Sequence, residues 1–271
     1  MRQYDCHYIE MAKSFAKISR HGVFIADVEQ NRFIYSSPHP LLRCGMNEEE
    51  FNRGGFFSFQ SYLPEDEVPI MDKIVGTVSS NYQRIPPGMR KNFVMTLNFH
   101  IIANGRKVMV MLKLSLLDFD EEENPRLMLG LVTPSVHDSP GNLIMGISGT
   151  EHFYQYRHGS DELVKIPIAH FTDEELEMLR LTMQGFSMKQ IGNLMCKSVD
   201  TVKFYRRNVF SKLKAKNISE AISYATTYCL IYSCKRGRNK PLYFNKPPIF
   251  YTFDSSFFSS LYEKPIYFCR C

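Results

Sequence analysis

Three hydroxyl residues constrain the chain more than any other feature. Thr172, Ser187 and Ser198 each stand just before a run of helical period. A Ser or Thr side chain in that place accepts from the free amides of a helix's first turn. Thr172 is followed by Asp173, Glu174 and Glu175, a capping box with Glu175 at the third helical position. Leu176, Leu179 and Met183 then recur on one face, and Gly185 ends the helix. Ser187 opens a short second helix containing Ile191 and Met195, and Ser198 a third through Val202, Tyr205, Val209 and Leu213. Ile218, Ala221, Ile222, Ala225 and Cys229 mark a fourth. Four short helices with tight connections predict an all-α unit over 171–232.

Residues 1–134 read differently. Val23–Ala26 and Arg32–Tyr35 suggest a hairpin. Asn47 before three glutamates predicts a capped helix, and Pro64-Glu65-Asp66-Glu67 opens another with Val68, Met71, Ile74, Val75 and Val78 on one face. Phe93–Ile102 and Lys107–Asp118 flank Asn104-Gly105, a strong hairpin signal, and Arg126–Val132 is a last strand. The Met109 and Met111 face reads as core, with a ligand cavity as the alternative, since Met packs irregular gaps. Residues 135–170 read as a connector, with a small hairpin of Phe153–Arg157 and Glu162–Ile166. Residues 233–271 hold 10 Phe or Tyr and four prolines, without helical or strand period, and their role is unassigned. The expected class is α+β: an N-terminal antiparallel sheet with helices, then a C-terminal four-helix unit.

Composition narrows the function. Hydrophobic residues are 44% and charged residues 23% of 271, as in soluble globular chains. No apolar run reaches the ~18 residues of a membrane span, and Met1–Glu10 is charged, without the apolar core of a secretory signal. Seven cysteines without a CxxC pair fit reduced thiols better than zinc or disulfides, so a cytoplasmic protein is expected. No GxSxG, P-loop or metal-ligand cluster is present, which ranks an enzyme last and leaves catalytic and metal residues unassigned. Asp118 and Asp120–Glu123 lack the glycine of a calcium loop and read as a solvated hairpin tip. Cys44 reads as an idle thiol and His100 as a satisfied sheet residue.

Charge separates along the chain. Residues 1–170 carry 17 basic against 20 acidic residues, 171–232 carry 9 against 6, and 233–271 carry 7 against 2. A polyanion would therefore meet the C-terminal part. Eight Lys or Arg and one acid lie between Ser187 and Lys216. On the third helix Lys203 and Arg207 share a face beside Phe204, while Val202, Tyr205, Val209 and Leu213 can turn inward. Lys and Arg can reach guanine N7 and O6, and an apolar side chain can touch a thymine methyl. Arg206, Lys212 and the Thr201 hydroxyl suit phosphates, and Ser187 and Lys189 complete the expected DNA-binding set. A merely solvated basic face is the plain alternative.

Phe171–Leu179, Gly185–Ile191, and Thr201–Val209 with Lys212-Leu213 resemble the LuxR/NarL-type helix-turn-helix. The resemblance implies base contacts from Lys203, Phe204 and Arg207, and dimerisation through the fourth helix, at Ile218, Ile222 and Ala225. The sequence departs from that pattern at Gly192, Lys197, Tyr205 and Lys214. Gly192 should weaken the second helix by up to ~1 kcal/mol relative to alanine. Ile25-Ala26-Asp27, Phe33–Pro38, Cys44–Phe51 and Leu63–Asp66 look like a PAS-type sensor domain. No residue identifies a haem, a flavin or another ligand, so the cofactor is unknown and the signal, a small molecule or a protein, is open. The expected function is a one-component regulator that binds double-stranded DNA as a homodimer. The alternative is an interaction module that no longer binds DNA.

Overall fold

In the computed structural model, the described residues are 3–55, 61–148, 150, 152–167 and 169–227. The aromatic segment 233–271 and the end of the expected fourth helix lie outside them. Helix α1 (Gln3–Ser19) comes first, an element the sequence reading did not anticipate. Tyr8, Ala12 and Ala16 give it one apolar stripe, laid on Val23, Ile25 and Leu127 of the sheet. Strands β1 (Gly22–Asp27) and β2 (Arg32–Ser36) form the first hairpin. Short helices α2 (Pro40–Arg43) and α3 (Glu48–Gly54) follow, and Asn47 caps α3 through a reciprocal bond with Glu50. Helix α4 (Val68–Tyr82) and the single turn α5 (Pro87–Arg90) lead into the long strands β3 (Phe93–Ala103), β4 (Arg106–Phe119) and β5 (Pro125–Pro134). Asn104 and Gly105 both hold positive φ, the backbone that a two-residue hairpin turn demands.

The reading of 135–170 as a connector is corrected. Strand β6 (Leu143–Ile147) pairs with β3, and β7 (His152–Arg157) and β8 (Glu162–Pro167) extend the sheet beyond it. The result is one eight-stranded antiparallel sheet in the order β2, β1, β5, β4, β3, β6, β7, β8. Beta pairing is non-local, so a short apolar run such as Leu143–Met145 shows no partner in sequence. Leu143 and Tyr156 are buried in the main core with Phe24, Phe51, Ile74, Phe99 and Leu112. Val110, Leu112 and Leu114 supply the β4 face of that core; Met109 and Met111 stand on the other face, where Met111 is buried, as expected, and Met109 half-buried. Val75, expected on one face of α4 with Val68, Met71, Ile74 and Val78, is exposed.

Three side chains, Glu67, Cys44 and Asp120, finish the front region. Beyond Leu97 the edge of β3 is no longer paired with β6, and the buried Glu67 carboxylate accepts from the His100 amide at 2.9 Å and contacts His100 Nδ1. Lys107 reaches the same carboxylate at 3.1 Å. Burial pushes the Cys44 thiol up to about 11, so it stays protonated at neutral pH. The Asp120 carboxylate is taken by the amides of Glu122 and Asn124, which makes this segment a self-closed turn.

The helical unit contains α6 (Asp173–Met183), α7 (Met188–Met195), α8 (Val199–Leu213) and α9 (Ile218–Thr227). Its separate core is built on Met178, Leu179, Ile191, Val202, Val209, Ala221 and Ala225.

Candidate nucleic-acid interface

The caps fix where each helix begins. Thr172 accepts from the Glu175 amide, and Glu175 returns the bond to the Thr172 amide. Ser187 and Gln190 repeat that arrangement on α7. Ser198 accepts from the Thr201 amide at 3.1 Å, and its hydroxyl lies 2.8 Å from the Thr201 hydroxyl.

The turn between α7 and α8 depends on Gly192. A Cβ there would stand 2.8 Å from the Lys197 carbonyl oxygen. The Lys197 amide donates to the Gly192 carbonyl at 2.9 Å across the same gap. The expected propensity cost is therefore outweighed by a close approach that an alanine would block. Lys197, one of the departures from the family pattern, is exposed in the turn and adds a cation there.

Helix α8 divides cleanly. Val202 and Val209 are fully buried, and Tyr205, Phe210 and Leu213 pack half-buried beside them. Lys203, Phe204 and Arg207 face outward, with Phe204 51% exposed. Lys203 makes an exposed ion pair with Asp200 at 3.1 Å, which water and salt weaken. Arg207 has no ion-pair partner among the described residues. Arg206 lies over the Phe210 ring, 5.1 Å from its centroid, holding the guanidinium at the flank of the helix. Lys189 is exposed near the start of α7. An outward basic face carrying one aromatic, on a helix held from behind, can enter a major groove.

Two expected roles are corrected. Lys212 is not a free cation: its ammonium sits against the buried Glu175 carboxylate and over the Phe171 ring. Ala225 offers no dimer surface, because it is fully buried in the unit's own core, and Ile218 and Ile222 are half-buried against that core. The 100° step of a helix puts 218, 222 and 225 on one face, and the apolar content of that face is what draws it inward.

The helical unit touches the sheet region at few points. Lys216 Nζ lies 3.0 Å from both Asp138 oxygens, and the His137 and Tyr224 rings meet edge-on at 5.2 Å. Burial lowers the His137 pKa, against the weaker pull of Glu220 and Asp138.

Residues 169–225 match the family of bacterial regulatory proteins described as the luxR family, and they form a luxR-family helix-turn-helix domain. The oxygen regulatory protein NreC of Staphylococcus haemolyticus (strain JCSC1435) is 26% identical over 127 residues, covering 47% of this chain and 55% of NreC. The regulatory protein SdiA of Escherichia coli (strain K12) is 33% identical over 72 residues, covering 27% of this chain and 30% of SdiA. The chain thus spans about half of NreC's length and under a third of SdiA's. Among solved structures, the phage VqmA-DPO complex aligns with 85% of this chain and 91% of its own, at 13% identity and a TM-score of 0.31.

Proposed function

We propose that the protein is a DNA-binding transcription regulator in which α8 reads base edges in the major groove. The observation that carries this reading is the outward trio of Lys203, Phe204 and Arg207 on a helix whose inner face is locked by Val202 and Val209. Arg207 and Lys203 supply base-edge donors, and Phe204 supplies apolar contact for a thymine methyl. Arg206, Lys189, Lys197 and the α8 N-terminus supply phosphate contacts, which position the domain without specifying sequence. A homodimer would set two such helices about one turn, ~10 bp, apart.

The front region is read as a PAS-like sensor. A hairpin, then helices, then three long strands in one antiparallel sheet supports that reading. The chemistry is binding, in a cytoplasmic setting, and no catalytic step is assigned. Its signal would act by favouring one placement of the helical unit over another.

The test is binding of the full chain to genomic fragments and to random duplex across a salt series. A steep fall of affinity with salt, with certain fragments enriched, is the expected result. Binding that is absent at low salt, or insensitive to it, overturns the reading and favours an interaction module.

A further inference from the structure

Between α4 and strands β1, β3, β4 and β5 the core leaves a cavity of about 460 Å³. It opens to solvent on one side, and its size lies within the range of ~300–1,000 Å³ seen for small-molecule sites. Its wall is mainly apolar, with Met71, Leu97, Leu112 and Leu114 among its members. Ser79, Tyr82, Gln83 and Asn124 are its polar members, and among the described residues no Lys, Arg, Asp, Glu, His or Cys lines it. Ser79, Gln83 and Asn124 are exposed, as is Val75 on the same stripe of α4, so the wet side lies between α4 and the turn joining β4 to β5.

Tyr82 is different. It is 7% exposed, and its hydroxyl has no hydrogen-bond partner among the described residues. Burial pushes its phenol above the ordinary value, which keeps the proton on the oxygen. An unpaired buried hydroxyl is costly, and native structures rarely keep one without a use.

We propose that this cavity binds an uncharged, predominantly apolar small molecule carrying one hydrogen-bond acceptor, and that the Tyr82 hydroxyl donates to that acceptor. The inference rests on the sensor reading of the front region and gives it a ligand class. A charged ligand would leave water for a wall with no counter-ion. A phosphate tail would find no cation among the described lining residues.

The experiment titrates the full chain, without DNA, with three probes of one shape. 2-Naphthol carries a hydroxyl, naphthalene carries no polar group, and 2-naphthoate is charged at neutral pH. Saturable one-to-one binding of 2-naphthol is expected, with 2-naphthoate at least ~10-fold weaker. Tyr82→Phe should weaken 2-naphthol about three- to ten-fold and leave naphthalene unchanged. It should also raise the melting temperature of the ligand-free protein, since it removes an unpaired group. Leu112→Trp, which fills the cavity, should weaken both neutral probes while far-UV circular dichroism stays unchanged. The proposal is overturned by 2-naphthoate binding as well as 2-naphthol, by the absence of saturable binding, or by unchanged 2-naphthol affinity in either variant. Duplex binding by the same preparation separates the two readings. If it persists while no probe binds, the ligand proposal fails alone.

Discussion

The ammonium of Lys212 lies 2.5 Å from Glu175 Oε2, joining the last turn of α8 to the first turn of α6. The same oxygen accepts from the Thr172 amide at 2.9 Å, so one carboxylate caps α6 and anchors α8. The Glu175 side chain is 2% exposed and that of Lys212 35%. Removing the cation strands a buried carboxylate, while the wetter lysine end softens the loss. Lys212→Ala should therefore destabilise the helical unit by about 2 kcal/mol in a urea titration. At temperatures where the variant remains folded, its salt slope on duplex should equal the parent's. A shallower slope with unchanged stability would return Lys212 to the phosphate-binding set.

Arg207 is expected to bear on specificity. It is exposed on the outer face of α8 and has no ion-pair partner among the described residues. Arg207→Ala should cost roughly 1–3 kcal/mol, about five- to 150-fold in affinity, on an enriched fragment and little on random duplex. Equal loss on both would show that Arg207 contacts only the backbone.

Gly192 sets helix propensity against close approach. Alanine should gain up to ~1 kcal/mol in propensity. Its Cβ, however, would stand 2.8 Å from a backbone oxygen, which cannot rotate away as a side-chain tip could. The expected net effect of Gly192→Ala is a loss of about 1–2 kcal/mol, the scale of an overpacked contact, read from thermal or urea unfolding. A stabilised variant would mean that the turn relaxes freely.

His137 gives the contact between sheet and helical unit a pH dependence. Burial beside Tyr224 lowers its folded pKa below the usual 6.5, while Glu220 and Asp138 pull weakly the other way and Lys216 adds to the lowering. The unfolded state then holds the proton more readily than the folded state. The stability this site contributes is full above the unfolded pKa and is lost as pH falls through the folded one. The unfolding midpoint should drop between pH 7 and pH 5, and His137→Phe should flatten that drop. An identical pH profile in the variant would remove His137 from the account.

Much of the helical unit was legible because caps are local. A Ser or Thr and the amide three residues on are fixed by the chain itself, which is why the starts of α6, α7 and α8 could be read at Thr172, Ser187 and Ser198. The β3–β4 hairpin was legible for the same reason, through Asn104-Gly105. Helix α1 was missed because its stripe of Tyr8, Ala12 and Ala16 is narrow and weakly apolar. Strand β6 was missed because its partner, β3, lies some fifty residues away.

The sequence by itself determined that the C-terminal part is a capped helical unit with a basic outer helix, and that an antiparallel sheet precedes it. These follow from periodicity, capping and charge, all of which act within a few residues. The tertiary structure alone decided that Lys212 turns inward to Glu175, that Ala225 faces its own core, that Gly192 is needed for the turn, and that an apolar cavity is left behind α4. Each depends on which distant groups come to lie opposite one another. Burial, close approach and charge pairing are properties of that juxtaposition and not of any short stretch of chain.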